Sequence, residues 1–300
     1  MKIALIGASG QLGADLQKVI PKDYLTKLNY PDFDITNRPG IQKLIKKEIF
    51  DIVINTAAYN LVDRAEEYPE EAMDINYQGV KNLVDACKKE GIKLVHYSTD
   101  YVFGSDKNRQ NPYTENDKPG PICKYGESKL AGEREVQENL HQYFLIRTSG
   151  LFGEAGSEGK GDNFIESIIK KANTNLSTCR ACVPQPTPEL KIVDDQILTP
   201  TYTLDLAKQT WKLIQTSNYG LYHITSEGEC SWYDFASEVF RCLNKEIQLM
   251  PVKTNEYNLP AERPLYSVLE NAKLKRLGLN IMRPWQETAP DYLKEKGYIA

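Results

Sequence analysis

The chain has 300 residues, a formal net charge of −4, 41% hydrophobic and 26% charged residues. That suits an ordinary water-soluble globular protein with one large domain, or a nucleotide-binding domain and a smaller lobe. The mild acidity excludes a broadly basic nucleic-acid-binding face, and no apolar run approaches the ~20 residues of a membrane helix, so neither nucleic acid nor membrane is expected as a partner.

Met1-Lys2-Ile3-Ala4-Leu5-Ile6 enters a strand pattern directly and lacks the form of a signal peptide, which points to the cytoplasm. The cysteines are Cys87, Cys123, Cys179, Cys182, Cys230 and Cys242, and free thiols are expected. Cys179-Arg-Ala-Cys182 has no second ligand pair at suitable spacing, so no metal is expected.

Residues 2–6 are mostly apolar, as in a strand buried on both faces. Gly7-Ala8-Ser9-Gly10-Gln11-Leu12-Gly13 follows, spaced G-x-x-G-x-x-G, and opens a helical run from Gln11 to Ile20. Glycines permit a tight turn and a close approach of backbone N–H groups to a pyrophosphate, and a helix N-terminus favours its charge. The arrangement reads as a dinucleotide site. A second strand lies near Tyr24–Leu28, and an acid at its end would bind the ribose 2′-hydroxyl of NAD. Lys27 and Asn29 stand there instead, which leaves room for the 2′-phosphate of NADPH. Asp34-Ile35-Thr36 either flanks the adenine or, through Asp34, caps a helix starting near Asn37.

Asp51–Asn55 is a third buried strand, ending in Thr56-Ala57-Ala58-Tyr59, small residues against which a flat ligand can lie. Glu70–Lys89 reads as a long amphipathic helix with Asn76 as an internal polar tie, and Lys93–Ser98 as a fourth strand. The alternation predicts an α/β fold, a Rossmann-type doubly wound parallel sheet with ligands at the strand carboxyl ends. Residues 104–123 form a polar loop long enough to be functional.

Tyr125-Gly126-Glu127-Ser128-Lys129 comes next. Residues four apart on a helix share a face, and an ammonium beside a phenol lowers its pKa, giving a usable proton donor. Solvated helix faces often carry such a pair. Here it accompanies the glycine-rich turn and Ser98-Thr99-Asp100-Tyr101 at the end of a strand.

Farther on, a strand is expected at Tyr143–Thr148 and a helix at Asn163–Ala172. Asn173–Glu189, with Pro184, Pro186 and Pro188, reads as an exposed excursion. A helix at Leu204–Gln215, a strand at Gly220–Thr225 and a helix at Ser231–Leu243 follow. Residues 1–150 are expected to form the dinucleotide-binding domain, and 151–300 mainly a smaller α/β substrate-binding lobe with segments returning to the first domain.

The chain resembles the extended short-chain dehydrogenase/reductase superfamily, and within it the dTDP-4-dehydrorhamnose reductase family. The resemblance rests on Gly7–Gly13, Asn55-Thr-Ala-Ala-Tyr59, Val62-Asp-Arg-Ala-Glu66, Ser98-Thr-Asp-Tyr-Val-Phe103, Tyr125–Lys129 with Leu130-Ala-Gly-Glu133, Arg147-Thr-Ser149, Asp162-Asn-Phe164, Asp195-Gln196 with Pro200-Thr201, Ser231-Trp232 and Arg263-Pro-Leu-Tyr-Ser267. It implies reduction of the C4 ketone of a dTDP-4-keto-6-deoxy-sugar by NADPH, or by NADH, giving dTDP-L-rhamnose. Tyr125 would protonate the alkoxide, Lys129 would hold the nicotinamide ribose, and Thr99 would donate to the reacting oxygen. The family pattern places Gly7, Gly10, Gln11, Leu12, Gly13, Asp34, Ile35, Ala57, Ala58, Tyr59, Asn60 and Tyr97 at the cofactor. It places Thr99, Asp100, Tyr101, Gly150 and Arg263 at the sugar. It also implies a homodimer.

Two features depart from the family. Gly150 stands where a tryptophan is usual, which implies a more open sugar pocket, with Tyr101 or Phe152 as fillers, unless the glycine only serves the turn into Gly153. The Asn173–Glu189 excursion is longer than usual. Two other functions share these motifs: a sugar-nucleotide epimerase or dehydratase, and a non-catalytic subunit similar to the regulatory β subunit of methionine adenosyltransferase. The presence of both Thr99 and Asp100 favours the enzyme.

Overall fold

In this computed structural model, residues 1–156, 161–177 and 189–300 are described. Cys179, Cys182 and most of the Asn173–Glu189 excursion lie outside the described residues, and so does the expectation attached to them.

The central sheet has six parallel strands. In chain order they are β1 (Ile3–Ile6), β2 (Leu25–Leu28), β3 (Ile52–Asn55), β4 (Lys93–Thr99), β5 (Tyr143–Thr148) and a sixth, Gly220–His223. Across the sheet the order runs from the sixth strand through β5, β4, β3 and β1 to β2 at the far edge. β1 and β3 are fully buried, which accounts for their unbroken apolar runs. Helices cover both faces. Leu12 and Leu16 of the helix Gln11–Val19 pack with Leu206 and Leu213 of the helix Thr203–Ile214 on one side. Ile41 and Ile45, Leu83 and Val84, and Val136 come from three helices on the other. Burying a leucine side chain of this kind contributes roughly 1.5–3 kcal/mol, so Leu206→Ala, at the fully buried centre of the first face, would cost about 2–5 kcal/mol.

The chain leaves β1 toward β2 on one side and returns to β3 on the other, which opens a crevice beyond their carboxyl ends. The 151–300 half divides. Thr203–Ile214 and Gly220–His223 join the sheet layer, while Phe152, Ile165, Phe235, Trp285 and Tyr292 form a separate core beside it.

The helix read at Glu70–Lys89 is interrupted. Pro69–Met73 and Val80–Glu90 are α-helical, but Asp74–Gly79 between them is a wider π turn. Such a turn inserts a residue and re-aims side chains, and Asn76 sits inside it. The helix read at Asn163–Ala172 runs Phe164–Ser177, with the Asn163 side chain capping it through the Glu166 amide. Among the described residues no helix is long and apolar enough to cross a membrane. Cys87, Cys123, Cys230 and Cys242 are free thiols.

Candidate active site

The glycine-rich turn joins β1 to the helix Gln11–Val19. Gly7 has φ +74°, the left-handed region that favours glycine. A Cβ on Gly13 would collide with the Gly7 carbonyl oxygen and lie 2.8 Å from Ala8 Cα, so this glycine lets the helix close on the strand. Gly10 is different. It is half-exposed, and a Cβ there would meet only Gly7 O, at 3.4 Å. It is also the N-cap, with no side chain capping the helix. The first helical N–H groups, those of Gln11 and Leu12, have no partner in their own helix. Beside them the Gln11 side-chain oxygen is buried without a hydrogen-bond partner. A cradle of unpaired amides plus a buried acceptor matches an anionic pyrophosphate flanked by hydroxyls. The Leu12 side chain, by contrast, belongs to the core, so only its backbone can serve a ligand.

Asn29 at the end of β2 pins the turn, accepting from Ser9 N at 2.8 Å and Ser9 Oγ at 3.0 Å. The helix that starts at Arg38 is capped by Asn37, which accepts from Gly40 N at 3.1 Å. Asp34 is not that cap, because its carboxylate turns back on Thr36 N and Oγ1, both at 2.8 Å. Ile35 is buried in the core, with its carbonyl held by Asn82 at 3.1 Å. Along 34–36 the ligand-facing surface is therefore backbone and the Asp34 edge.

Beyond β3, Ala58 is exposed toward the crevice end and Tyr59 is buried, its hydroxyl donating to Glu71 at 3.2 Å. Asn76 holds this stretch through Tyr59 N (2.9 Å) and O (3.0 Å) and also donates to Ser128 Oγ at 3.0 Å. The loop after β3 is thus tied to the helix Lys124–Asn139.

That helix carries Tyr125 and Lys129. Cys123 caps it, accepting from Gly126 N at 3.4 Å. A Cβ on Gly126 would lie 3.1 Å from the Tyr101 carbonyl carbon and collide with its oxygen, so glycine lets the helix start press on the short 3-10 turn Asp100–Val102. The approach sets the Tyr125 and Tyr101 rings edge to face, 5.7 Å apart, with the Tyr125 phenol beside Thr99. Thr99, Tyr125 and Lys129 are therefore gathered at the carboxyl end of β4.

Their electrostatics differ from the expectation. Burial pushes the Tyr125 phenol above its ordinary value, with Asp100 and Cys123 adding to the rise and Thr99 opposing it. Lys129 does not act on it in this state. The ammonium is buried and donates to the Tyr97 carbonyl at 2.6 Å, and burial lowers its pKa to about 8 against the pull of Glu133. Tyr97 contributes that carbonyl, not its ring. Its side chain lies in the core and its hydroxyl donates to Thr210 Oγ1 at 2.8 Å. Glu133 itself pairs with Arg147 through two bonds of 2.9 and 2.7 Å in the interior, which anchors the helix to β5.

The sugar-side residues are split. Asp100 is buried and its carboxylate is engaged by protein hydroxyls, not open to a ligand. Arg263 borders a cleft of about 680 Å³ and pairs with Asp63 at 2.8 Å. Phe164, Trp232, Tyr257, Lys171 and Lys191 also line that cleft. Sequence reasoning did not single these out as a site: they come from four separate segments, and only Phe164 and Trp232 stood in motifs. Gly150 has φ +55°, and a Cβ would meet Leu198 Cδ1 at 3.0 Å and the Pro200 Cα at 3.1 Å. The turn alone accounts for the glycine. Phe152 lies in the second core and does not fill a gap at the sugar. The expectation of an opened pocket loses its support, since the space a side chain would take is already occupied.

The family model of the RmlD substrate binding domain matches residues 1–297. The chain is 33% identical to the dTDP-4-dehydrorhamnose reductase of Escherichia coli K12, covering 98% of both chains. It is 38% identical to a dTDP-4-dehydrorhamnose reductase from Clostridium acetobutylicum, covering 99% of this chain and all of that one, with a TM-score of 0.90. A dTDP-4-dehydrorhamnose reductase from Bacillus anthracis, solved in complex with NADP, is 36% identical over 98% of this chain and all of that one, with a TM-score of 0.89.

Proposed function

This chain belongs to the RmlD substrate binding domain family, and from that premise we propose that it reduces the C4 ketone of dTDP-4-dehydro-L-rhamnose to dTDP-L-rhamnose at the expense of NADPH. The observation that carries the reading is the gathering of Thr99, Tyr125 and a buried Lys129 at the carboxyl end of β4, with Tyr125 and Lys129 one turn apart on the helix packed against it. Its direct support is the similarity to named reductases along the whole chain.

NADPH fits the residues present. Gly10 leaves space against the backbone, the amides of Gln11 and Leu12 would hold the pyrophosphate, and the buried Gln11 oxygen would accept from a ribose hydroxyl. Asn29 and the exposed Lys27 put no carboxylate where a 2′-phosphate would lie. When bound, the dinucleotide supplies hydride to the ketone carbon. The chain's own residues do the rest. Tyr125 is protonated throughout the neutral range because its pKa lies above the ordinary value, so it is a ready acid for the C4 oxygen. Thr99, beside the phenol at the end of β4, would meet the same C4 oxygen. Lys129, whose burial lowers its pKa to about 8, stays mostly charged at neutral pH and supplies the positive charge on the same helix face that favours the phenolate left behind by transfer.

The 680 Å³ cleft offers aromatic faces in Phe164, Trp232 and Tyr257 and cations in Lys171, Lys191 and Arg263, the chemistry that a base and a diphosphate call for. We assign the nucleotide half of the substrate there, which runs the sugar from Arg263 toward Tyr101 and Tyr125. A reducing, cytoplasmic location is part of this reading and is supported by the four free cysteines among the described residues.

The test is incubation with NADPH and a panel of nucleotide 4-keto-sugars, following cofactor oxidation and identifying the product. Fastest turnover with dTDP-4-dehydro-L-rhamnose is expected. Turnover only with a different sugar would replace the substrate, and binding of NADPH with no turnover on any sugar would favour the non-catalytic alternative.

A further inference from the structure

Asp63 stands at the N-cap of the short helix Arg64–Glu67, yet its carboxylate makes no capping bond there. An aspartate in this place ordinarily caps its own helix. Here it crosses to the other half of the chain. Oδ1 accepts from Ala261 N at 3.2 Å, and Oδ2 accepts from Arg263 Nη2 at 2.8 Å. Arg263 also donates from Nη1 to the Ala261 carbonyl at 2.9 Å. Its fork is thus fixed from two sides, while an arginine carries further N–H donors for a ligand. The Arg263 side chain is 15% exposed, so its pair with Asp63 is better shielded than an ordinary surface pair. Ala261 and Arg263 both line the cleft.

The rest of the same helix faces the acid. Ala65 is fully buried with Tyr59 and Ala72 in a small apolar cluster, and the Tyr125 ring packs against it. Glu66 accepts from Lys124 N at 2.7 Å. That amide opens the helix Lys124–Asn139 immediately before Tyr125, where an N–H has no partner in its own helix. Glu66 therefore caps the helix of the acid from outside, while Cys123 caps it from within through Gly126 N. Arg64 pairs with Glu71 at 2.7 Å, which ties the short helix to the next one. Residues 261–263, the short helix and Tyr125 are joined in series through two carboxylates one helical turn apart.

We propose that Asp63 and Glu66 are positioning residues that make the helix Arg64–Glu67 a spacer, setting Arg263 at a fixed separation from Tyr125. Asp63 holds the guanidinium that takes the substrate diphosphate, and Glu66 holds the start of the helix that carries the acid. This rests on the reductase reading and on the nucleotide half of the substrate lying in the cleft. The two carboxylates then act on different quantities. A loosened Arg263 weakens a contact that ground state and transition state share, so KM rises and kcat stays. A loosened helix start leaves that contact intact and misaims the phenol, and a misplacement of about 1 Å can cost ~10²-fold in rate.

The test compares the full chain with its Asp63→Ala, Asp63→Asn, Glu66→Ala and Glu66→Gln variants. It reads dTDP binding by calorimetry, NADPH-dependent kinetics on dTDP-4-dehydro-L-rhamnose, and hydrogen exchange over residues 122–130. Asp63→Ala should weaken dTDP binding and raise KM by roughly tenfold, with kcat within about twofold. Asp63→Asn keeps an acceptor for Arg263 and should recover part of the loss. Glu66→Ala should lower kcat by about tenfold or more, with dTDP affinity within about twofold, and speed exchange at the helix start. Glu66→Gln, which can still accept from Lys124 N, should largely reverse both effects. Parental dTDP affinity in Asp63→Ala, or parental kcat in Glu66→Ala, would overturn the proposal. So would variants that lose affinity and kcat alike, the mark of a general loosening. A parent that turns over no sugar would sink the reductase reading. Weaker dTDP binding in Asp63→Ala and faster exchange in Glu66→Ala would then leave the two anchoring roles standing. Should Asp63→Ala not fold, Asp63→Asn must itself weaken dTDP binding by about threefold or more, and parental affinity there would contradict the proposal.

Discussion

The two glycines Gly10 and Gly13 can be separated by a single added methyl group. At Gly13 the new Cβ would overlap the Gly7 carbonyl oxygen and lie 2.8 Å from Ala8 Cα and 2.9 Å from its carbonyl carbon. Those are backbone atoms of the turn and cannot swing away. Overpacking of this kind costs at least ~1–3 kcal/mol. At Gly10 the added Cβ meets only Gly7 O at an ordinary 3.4 Å, and the backbone, at φ −71° and ψ 169°, suits any residue. Alanine loses a little as an N-cap and gains a little from a stiffer unfolded chain, so stability should change by less than about 1 kcal/mol. The ligand, however, would lose its approach to the helix N-terminus. Gly10→Ala should therefore fold like the parent yet bind NADPH more weakly by roughly tenfold or more, equivalent to about 1.4 kcal/mol. Gly13→Ala should lose stability first. Urea unfolding and fluorescence titration with NADPH measure the two quantities on the same preparations. A Gly10→Ala protein with parental NADPH affinity would mean that no pyrophosphate lies across this turn.

Further outcomes are expected at other positions. Tyr125→Phe keeps the ring but removes the acid, so kcat should fall by ~10²–10⁴-fold with NADPH affinity retained; near-parental turnover would remove Tyr125 from its role. Lys129 has a folded pKa of about 8 against an ordinary 10.5, so between those values the folded state binds fewer protons than the unfolded one and stability rises with pH. Lys129→Met should abolish that rise in chemical-denaturation curves, and in the parent kcat for reduction should decline above about pH 8 as the charge is lost. Glu133→Gln leaves the Arg147 guanidinium buried without its charge partner and should cost ~3–5 kcal/mol, read as a lowered urea midpoint; a cost under 1 kcal/mol would show the interior to be wetter there than its burial implies. Asn29→Asp places a carboxylate at the end of β2 and should lower kcat/KM for NADPH relative to NADH, a ratio unmoved by the change placing the 2′-phosphate elsewhere.

Much of the frame was legible because it rests on local patterns. β1, β3, β4 and β5 are short apolar runs followed by glycine or small polar residues, and each lies within a residue of its expected place. The Tyr125–Lys129 spacing fixed a shared helix face, and the Thr99 turn was visible as a polar tail to an apolar strand. What escaped depends on distance. No periodicity announces that Asp74–Gly79 widens into a π turn, because the wider turn is held by Asn76 reaching Tyr59 and Ser128 far along the chain. The Lys129 ammonium was expected at the phenol, but an i, i+4 relation fixes only the face, and the free carbonyl at the end of β4 captured it. Gly150 looked like a missing side chain, whereas its positive φ and the nearness of Leu198 and Pro200 come from a strand nearly fifty residues on. The aromatic and basic lining of the cleft was invisible for the same reason.

The central claim is that this site delivers hydride to C4 of a deoxyhexose while Tyr125 supplies the proton. The most direct measurement is reduction of dTDP-4-dehydro-L-rhamnose with deuterated NADPH in ordinary water, followed by NMR of the product. Deuterium at C4 of dTDP-L-rhamnose, one per NADPH consumed, is the expected result. NADPH oxidation without deuterium in the sugar, or label at any other carbon, would contradict it.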